Sequence, residues 1–390
     1  MDFGRVPEAT LSDIDFKLPA EPVFNKQVLK GRPVAHPLTY LGCAKWGRKE
    51  WIGKIYPQGT KEANFLDEYV KHFNSIELNA THYQIYGPAT IAKWDVKAAG
   101  MDFKFCPKVP QSISHFSTLI NAGDKTTSFL EGILAFGEHL GPIFLQLSDK
   151  FGPAKRDNLY QYLASLPKDL QFFVELRHPQ WFEDEAVRME LFDKLRELNV
   201  GAIITDTAGR RDIAHMHLTV PKIFIRFVGN SLHPTDYTRI DDWANRIKYW
   251  LDNGLEEVYF FMHMHDEATS PELALYMTEK FEAVCGITVK KPVFVTGEAA
   301  VKAPAKAVRV PAKRQSSKAA KSEPEKAPAK VKSSKAAKSE PEKVPAKTQS
   351  SKAAKSEPEK APAKVKSSKA VKSEPAKTPA KAKSSKAVKK

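Results

Sequence analysis

The sequence predicts a (β/α)8 barrel followed by a long, lysine-rich tail. Eight short apolar segments alternate with amphipathic helical segments between Tyr40 and Val284. Such alternation is typical of a parallel sheet covered by helices, and eight units are the number that closes a barrel. No glycine-rich phosphate loop follows the first apolar segment, which weighs against the main alternative, a doubly wound open sheet. Beyond about residue 297 the apolar segments stop, and Lys, Ala, Pro and Ser dominate.

Each predicted strand is an apolar run of strand length, and the segments between the runs repeat apolar residues with helical spacing. The last helix is predicted to begin with Ser270 as its N-cap and Pro271 at its first position. The predicted strands are Tyr40–Cys43, Ser75–Leu78, Phe103–Cys106, Ile143–Leu147, Gln171–Leu176, Gly201–Thr205, Ile223–Phe227 and Val258–Met262. The other predicted helices are 62–73, 88–98, 126–139, 157–165, 184–198 and 241–252.

The chain is expected to have three parts: an N-terminal arm (1–37), the barrel (38–296) and the tail (297–390). The arm mixes Pro and charged residues with isolated apolar residues such as Phe3, Leu11 and Phe16, so it is expected to be extended and docked on the barrel. The tail repeats an 11-residue motif every 17 residues, starting at Ser316. It contains no aromatic residue and cannot bury enough apolar surface to fold, so disorder is expected.

The positive charge of the chain is concentrated in the tail. From Ala300 onward there are 27 Lys and Arg against 7 Glu, a net charge of +20, while the whole chain carries +15. The rest is therefore mildly acidic. Flexible lysine-rich segments bind nucleic acids by releasing counterions, without reading the bases. The tail resembles the Lys/Ala/Pro-rich tails of linker histones and histone-like proteins, which makes nucleic acid the expected partner and a solvated spacer the alternative.

Composition argues against secretion, a disulfide framework and a membrane span. The three cysteines, Cys43, Cys106 and Cys285, are too few and too scattered for a disulfide framework or a zinc site of the CxxC type. The first residues lack the layout of a signal peptide, and no apolar run approaches the roughly 18 residues of a membrane helix. We expect a soluble cytoplasmic protein, with nucleoid association as a further expectation from the tail. The oligomeric state is not predicted.

Polar residues follow almost every predicted strand, at the end where barrel enzymes carry their active sites. Lys108, Arg177 and Arg226 are cations that can hold anionic oxygens. We predict that Glu77, Lys108, Glu175, Arg177, Asp206 and Arg226 face one shared pocket. The alternative is a set of purely structural ion pairs inside the barrel. The candidate catalytic residues are Glu77, Lys108, His115, Glu175, Arg177, His178 and Asp206, and the candidate substrate-binding residues are Asn79, Tyr83, Gln146, Trp181 and Arg226.

The cofactor is not predicted, although a divalent metal is one hypothesis. His263 and His265 follow the eighth strand and, with Glu175 and Asp206, would offer nitrogen and oxygen ligands that suit zinc or manganese. No HExxH or comparable spacing supports such a site.

Several blocks of this sequence resemble the YecE-like family, known as domain of unknown function 72. They lie in order along the chain: Trp51–Pro57, Ile76–Tyr83, Phe105–Lys108, Ser114–His115, Leu140–Gln146 and Val174–Trp181. The resemblance implies a TIM-like barrel and no established activity. This chain departs from the family where many members read Arg-Phe-His-Gly on strand seven and Phe-Asn-Asn on strand eight. It has Arg226-Phe-Val-Gly229 and Met262-His-Met-His265 instead.

Two functions of different classes follow. The first is an enzyme, a hydrolase or lyase, that acts on a phosphorylated, sugar-containing or nucleic-acid substrate at the end of the barrel. The second is a non-enzymatic, histone-like nucleic-acid-binding protein in which the barrel is structural.

Overall fold

Eight parallel strands form the centre of the computed structural model, which describes residues 3–295. They are β1 (Leu38–Cys43), β2 (Ser75–Leu78), β3 (Lys104–Pro107), β4 (Ile143–Gln146), β5 (Phe172–Glu175), β6 (Gly201–Asp206), β7 (Lys222–Gly229) and β8 (Glu257–Met264). Every predicted apolar run forms one of these strands. The runs are strongly buried because each strand has the barrel lumen on one side and helices on the other.

The strands close into a barrel. Hydrogen-bonded neighbours follow the order β3-β2-β1-β8-β7-β6-β5-β4. The remaining gap between β3 and β4 is joined by parallel bridges of Phe105 with Leu140 and of Lys108 with Phe144. Backbone hydrogen bonds of 2.8 Å from Gly141 to Phe105 and of 2.9 Å from Val109 to Phe144 complete the contact. The predicted (β/α)8 barrel is confirmed, and the open-sheet alternative is wrong.

Nine α-helices of at least four residues lie between and after the strands in the described part of the chain. The four-residue helices α2 and α6 directly follow β2 and β5, and the sequence periodicity does not reveal them. The helices are α1 (Phe65–His72), α2 (Ala80–Tyr83), α3 (Pro88–Asp95), α4 (Gly123–Ile133), α5 (Arg156–Ala164), α6 (Gln180–Glu183), α7 (Glu185–Glu197), α8 (Pro234–Asp252) and α9 (Ser270–Cys285).

The caps of the helices differ in part from the sequence prediction. Helix α9 includes Ser270, and its N-cap is Thr269, which makes no side-chain capping hydrogen bond. The prediction of Ser270 as the cap is therefore off by one residue, because a 3₁₀ turn, Glu267–Thr269, leads directly into the helix. By contrast, the Asp184 side chain caps α7 by accepting from the backbone N–H of Val187, as is typical of Asp at this position.

The core has two layers, one on each side of the sheet. The lumen holds a compact cluster of mostly aromatic side chains, in which the Tyr40 and Tyr259 rings stack with centroids 5.0 Å apart. The larger layer lies between the strands and the helices and includes the fully buried Trp51, Trp181 and Trp243. Successive strand residues point to alternate sides, so each strand supplies both layers.

The N-terminal arm docks along the barrel. Leu11 and Phe16 form a small apolar cluster with Ala208 of the loop after β6. Further along, the Asn25 side chain donates to the Met216 carbonyl and accepts from the Leu218 backbone N–H. These contacts agree with the expected extended, docked arm, which also contains two short 3₁₀ turns.

The predicted tail, its 17-residue repeat and its expected disorder lie outside the described residues. Within residues 3–295, none of the helices has the length and apolar character needed to cross a membrane.

Candidate functional site

A layer of polar side chains closes the lumen at the C-terminal ends of the strands, the barrel mouth. Most of these residues stand two positions after apolar lumen residues, as Glu175 follows Phe173 and Arg226 follows Phe224, while Glu77 follows the buried Ser75. Period-two alternation therefore directs them into the barrel above its aromatic cluster. The polar layer comprises Glu77, Lys108, Gln146, Glu175, Thr205, Arg226 and His263, all of them buried.

Arg226 lies at the centre of the layer and joins two glutamates from opposite walls of the barrel. Its Nε and Nη2 donate to the two carboxylate oxygens of Glu77, each at 2.8 Å, in a bidentate pair. Its Nη1 donates to Glu175 at 2.6 Å. Burial by itself would lower the pKa of Arg226, but the two carboxylates raise it above the ordinary value. Arg226 is therefore a fixed, fully matched positive charge.

Glu77 has two further partners besides Arg226. Its Oε2 lies 2.8 Å from Nε2 of His263, and its Oε1 accepts from the Asn79 side chain at 2.8 Å. Burial acts to raise the pKa of this carboxyl, and Arg226 and His263 overcome it, so the pKa is held well below its usual range. Glu77 is an ionised hydrogen-bond acceptor, not a carboxyl poised to give or take a proton at neutral pH.

Glu175 is held in the same way. Besides Arg226, its Oε1 accepts from Nε of Arg177 at 2.9 Å and from the Thr205 hydroxyl at 3.0 Å. Burial opposes ionisation, but the arginines lower its pKa to about 2. Nη2 of Arg177 is buried and has no hydrogen-bond partner among the described residues. Part of the donor capacity of Arg177 is thus unused.

Lys108 is the cation of this layer that lacks a carboxylate. Its Nζ donates to Oε1 of Gln146 at 2.7 Å and lies 5.8 Å from the centre of the Phe144 ring. Burial and the nearby charge of Arg226 lower its pKa to about 7. Within residues 3–295, no Asp or Glu forms an ion pair with it. The layer and the adjoining Arg177 therefore bring three basic side chains, Lys108, Arg177 and Arg226, together with two carboxylates.

Two histidines adjoin Lys108 at the rim. His82 and His115 have ring centroids 5.1 Å apart. Burial and the charge of Lys108 lower the pKa of both, to about 4 for His82. Nδ1 of His82 is bonded to the Val109 carbonyl and Nδ1 of His115 to the Ser114 hydroxyl. Both imidazoles are therefore neutral at physiological pH, which makes them hydrogen-bonding groups beside a basic pocket.

Asp206 does not share the pocket, and that part of the prediction is wrong. It is fully buried on the helix side of β6, where Nε1 of Trp243 donates to it at 2.7 Å and Nη2 of Arg239 lies 2.9 Å away. Arg211 forms a further short ion pair with it. Because Thr205 points into the lumen, the next residue must point out. The other five residues predicted to share the pocket lie within the polar layer or bond directly to it.

The remaining predicted contacts divide between the rim and the helix layer. Trp181 is fully buried in the helix-side core and donates its indole N–H to the Phe151 carbonyl at 2.7 Å. It cannot contact a substrate at the mouth, because α6 turns it away from the lumen. His178 is partly exposed, and its Nδ1 accepts from the Gln180 backbone N–H at 3.3 Å. Tyr83 is 73% exposed and leaves its ring open to solvent.

The residues of the metal hypothesis do not assemble. His263 bonds to Glu77 in the lumen, His265 lines a separate surface cavity with Asn230 and His233, and Asp206 is on the helix side. In the described part of the chain, no group of three or more His, Cys, Asp or Glu is placed to hold a metal ion. His263 serves instead as a partner of Glu77.

A cavity opens from the polar layer to solvent at the mouth. It has a volume of about 290 Å³ and is lined by Trp46, Glu77, Asn79 and Tyr83, among others. Trp46 is half-buried, its ring packing edge-on against Trp94 with centroids 5.7 Å apart. Aromatic walls beside a charged floor can bind a ligand with both an apolar and a polar end.

Three residues at the mouth were missed by sequence analysis. Thr205 could have been found because it lies two positions after Ile203 on β6 and so points into the lumen. His82 could have been found because it lies in the motif Ile76–Tyr83. Phe3 could not, because nothing in the arm predicts where it docks. Its ring stacks 3.9 Å from the guanidinium carbon of Arg177 and 5.5 Å from that of Arg210. The arm therefore reaches the mouth.

The fold and the mouth define a (β/α)8-barrel protein with a buried charged layer at the C-terminal ends of its strands. Residues 40–319 match the family described as "Protein of unknown function DUF72". The chain belongs to this family, and the resemblance seen in its motifs is confirmed.

One relative of known sequence and two solved structures are similar to this chain. UPF0759 protein YecE of Escherichia coli is 30% identical over 254 residues, which cover 60% of this chain and 90% of YecE. A crystal structure of a DUF72 family protein from Enterococcus faecalis has a TM-score of 0.51 at 17% identity and covers 66% of this chain and 98% of that chain. This similarity shows the fold. A DUF72 family protein from Thermotoga maritima has a TM-score of 0.48 at 19% identity, covering 64% of this chain and 100% of that chain.

Proposed function

We propose that the barrel mouth binds a ligand through a phosphate group, carried by a phosphorylated metabolite or by a nucleic acid. The observation that carries this proposal is the excess of cations: Lys108 is buried beside two arginines and has no carboxylate partner within the described residues. A buried, unmatched cation is costly, and an anion at this point would offset the cost. Phosphate oxygens are strong acceptors for Lys and Arg donors.

The surrounding groups fit an anion as well. Arg177 has an unused Nη2, and its Nε is already fixed on Glu175, so its guanidinium is oriented before any ligand arrives. A donor held in place loses little side-chain entropy on binding. The adjoining cavity with Trp46 and Tyr83 can take the organic part of the ligand, because aromatic rings stack on sugars and bases.

Ligand-induced stabilisation tests the proposal. Inorganic phosphate, pyrophosphate and AMP should raise the thermal unfolding midpoint of the full chain, since a ligand that binds only the folded state stabilises it. Lys108→Met should abolish the increase, and Arg177→Met should reduce it. Lys104→Met is the matched control. Lys104 begins β3, the strand that Lys108 directly follows, but it lines a cavity at the opposite end of the barrel, so its loss should leave the increase intact.

The tail is the same in every variant. Differences between variants in the phosphate-induced increase of the unfolding midpoint therefore report on the mouth. If Lys108→Met responds to phosphate as the unaltered chain does, the mouth is not the phosphate site. In that case the charged layer is a structural network.

A second function is supported by the charge distribution. We propose that the tail binds nucleic acid without sequence preference, because it carries a net charge of +20 while the rest of the chain is mildly acidic. Lysine is the dominant cation, which suits mobile contacts with phosphates more than bidentate base recognition. Affinity should fall log-linearly with salt concentration.

The measurement is a fluorescence anisotropy titration with single- and double-stranded oligonucleotides of scrambled sequence at two salt concentrations. The comparison is between the full chain and a variant in which the lysines of the 17-residue repeats are glutamine. Equal affinities, or an affinity indifferent to salt, would show that the tail is a spacer.

A further inference from the structure

We propose that Lys108 is a nucleophile that forms an imine with the carbonyl group of a phosphorylated aldehyde or ketone. This inference rests on the proposed phosphate site and names the substrate class for it: the neutral form of Lys108 attacks the carbonyl, while Arg177 holds the phosphate. Three features of the geometry carry it: the place of the amine in the barrel, its single hydrogen bond among residues 3–295 and the donors beside it.

The amine lies where a barrel presents its reactive groups. Lys108 directly follows β3, its residue is only 7% exposed, and its side chain enters the polar layer from the wall. Gln146 holds Nζ from β4 at 2.7 Å. A neutral amine can donate to this amide oxygen and still direct its lone pair elsewhere, whereas an ammonium paired with a carboxylate has no lone pair to offer.

Other buried or half-buried lysines of the barrel differ in this respect. Lys54 pairs with Glu272 at 2.6 Å and Lys222 pairs with Glu257 at 2.5 Å. In both pairs a carboxylate holds the lysine Nζ directly. In the described part of the chain, Lys108 instead faces cations that disfavour its own charge, and the carboxylates near it are already engaged by arginine.

The electrostatic environment supports a neutral amine near physiological pH. Burial is the main cause, and Arg226 and Arg177 act in the same direction against the opposing charges of Glu77 and Glu175. His82 and His115 adjoin the amine as neutral imidazoles. With a pKa of about 7, roughly half of the Lys108 side chains are neutral at pH 7, against on the order of one in a thousand for an ordinary lysine.

The chemistry balances without a co-reactant. The Nζ lone pair attacks the carbonyl carbon, and the carbonyl π electrons move to oxygen, which gives a carbinolamine after proton transfer from nitrogen to oxygen. The carbinolamine then loses its hydroxyl and the second amine hydrogen as water, leaving a C=N bond. Once protonated, the imine withdraws electrons more strongly than the ketone does. It therefore favours loss of a proton or of a carbon substituent from the adjacent carbon.

Reductive trapping tests the inference on the full chain. Dihydroxyacetone phosphate and dihydroxyacetone are the two probes, and borohydride converts any imine into a stable secondary amine. The labelled chain gains the mass of the probe less one oxygen atom, and peptide mapping locates the modified lysine. We expect Lys108 to be labelled at least about tenfold faster than Lys104 at pH 7, because its neutral fraction is high. Labelling of Lys108 should rise to half its maximum near pH 7.

Two variants keep the test decisive. Lys108→Met should abolish only this label, and its fold is verified by circular dichroism. Arg177→Met should keep labelling by dihydroxyacetone but lose at least about threefold in labelling by the phosphorylated probe, because a charged hydrogen bond is lost. Preferential labelling by the phosphorylated probe supports both proposals.

The two proposals can fail separately. Equal labelling of Lys108 by both probes supports the imine and contradicts the phosphate site. A phosphate-dependent increase in the unfolding midpoint, without label on Lys108, overturns the imine and leaves the phosphate site in place.

Discussion

Two buried arginines on opposite sides of the same sheet illustrate how a structural charge cluster differs from a candidate site. Arg226 lies in the lumen and binds Glu77 and Glu175. Arg239 lies between the sheet and α8, where it binds Asp206 and Asp236. Each is only 1% exposed, and each joins two carboxylates.

The two clusters differ in charge balance. On the helix side, Arg239 and Arg211 face Asp206 and Asp236, so charges are equal in number, and every nitrogen of the Arg239 guanidinium is bonded. In the lumen, Lys108 is added to two arginines and two glutamates. The first cluster is balanced in charge, whereas the second has one basic side chain more than it has carboxylates. An unbalanced buried cluster, rather than burial of charge in itself, is what points to function.

The largest expected effect is common to both clusters. Arg226→Met and Arg239→Met should each lower the free energy of unfolding by about 3–5 kcal/mol, because each leaves two carboxylates buried without their cation. Urea unfolding followed by circular dichroism measures this loss. Arg196→Met, a half-exposed residue of α7, should change stability by less than about 0.5 kcal/mol. A small loss at either buried arginine would show that its cluster relaxes or admits water.

The arm touches both clusters with a phenylalanine, which gives the second prediction. Phe16 is buried with its ring 5.0 Å from the guanidinium carbon of Arg239, whereas Phe3 is half-buried on Arg177. Phe16→Ala should cost about 3 kcal/mol in urea unfolding and Phe3→Ala about 1 kcal/mol. Phe3→Ala should also increase the phosphate-induced shift of the unfolding midpoint, because it uncovers Arg177. If Phe16→Ala also increases the phosphate-induced shift, the whole arm, rather than Phe3 alone, covers the mouth.

The pH dependence of the stability of Lys108→Met should distinguish the lumen cluster from the cluster on the helix side. The pKa of Lys108 is lowered in the folded state, so its charge destabilises the fold fully below about pH 7, and this effect fades as the pH rises towards the ordinary lysine value of about 10.4. The variant should therefore be roughly 1–3 kcal/mol more stable than the unaltered chain at pH 7 and nearly equal at pH 10. Urea unfolding at both pH values measures the difference. A constant difference would indicate a packing effect.

The smallest effect concerns a neutral partner of the lumen cluster. Thr205→Val removes a hydrogen bond to Glu175 and should cost about 1 kcal/mol at pH 7. Because the folded pKa of Glu175 is depressed to about 2, its contribution is full above about pH 4.3 and is lost as the pH falls. In the variant, Glu175 should contribute fully over a narrower pH range. The midpoint of acid unfolding should therefore move to a higher pH.

Thr278→Val is the matched control, since Thr278 is buried and its hydroxyl donates to a helix carbonyl, that of Ala274. It should lower stability by a similar amount at every pH. An unchanged acid transition in Thr205→Val would argue that Glu175 depends on the arginines alone.

Much of the barrel could be predicted from sequence because its elements are local. Predicted strand β2 agrees with the structure at both ends, and the other strands agree to within a few residues. The helix-side position of Asp206 was missed because Thr205 and Asp206 are adjacent on β6 and both are polar. They can be distinguished only by knowing which of the two points into the lumen. Trp181 was misjudged because α6 is too short to show a periodicity.

The sequence by itself determined the eight alternating units, the polar groups at the strand ends and the separation of charge between barrel and tail. These are properties of composition and spacing, which the chain carries before it folds. Only the tertiary structure decided which carboxylate meets which cation. Closure of the barrel brings Glu77 of β2, Glu175 of β5 and Arg226 of β7 together across the lumen. It also buries Lys108 with no carboxylate paired to it among residues 3–295. Pair energies and pKa values depend on distance and burial, which no order of residues along the chain specifies.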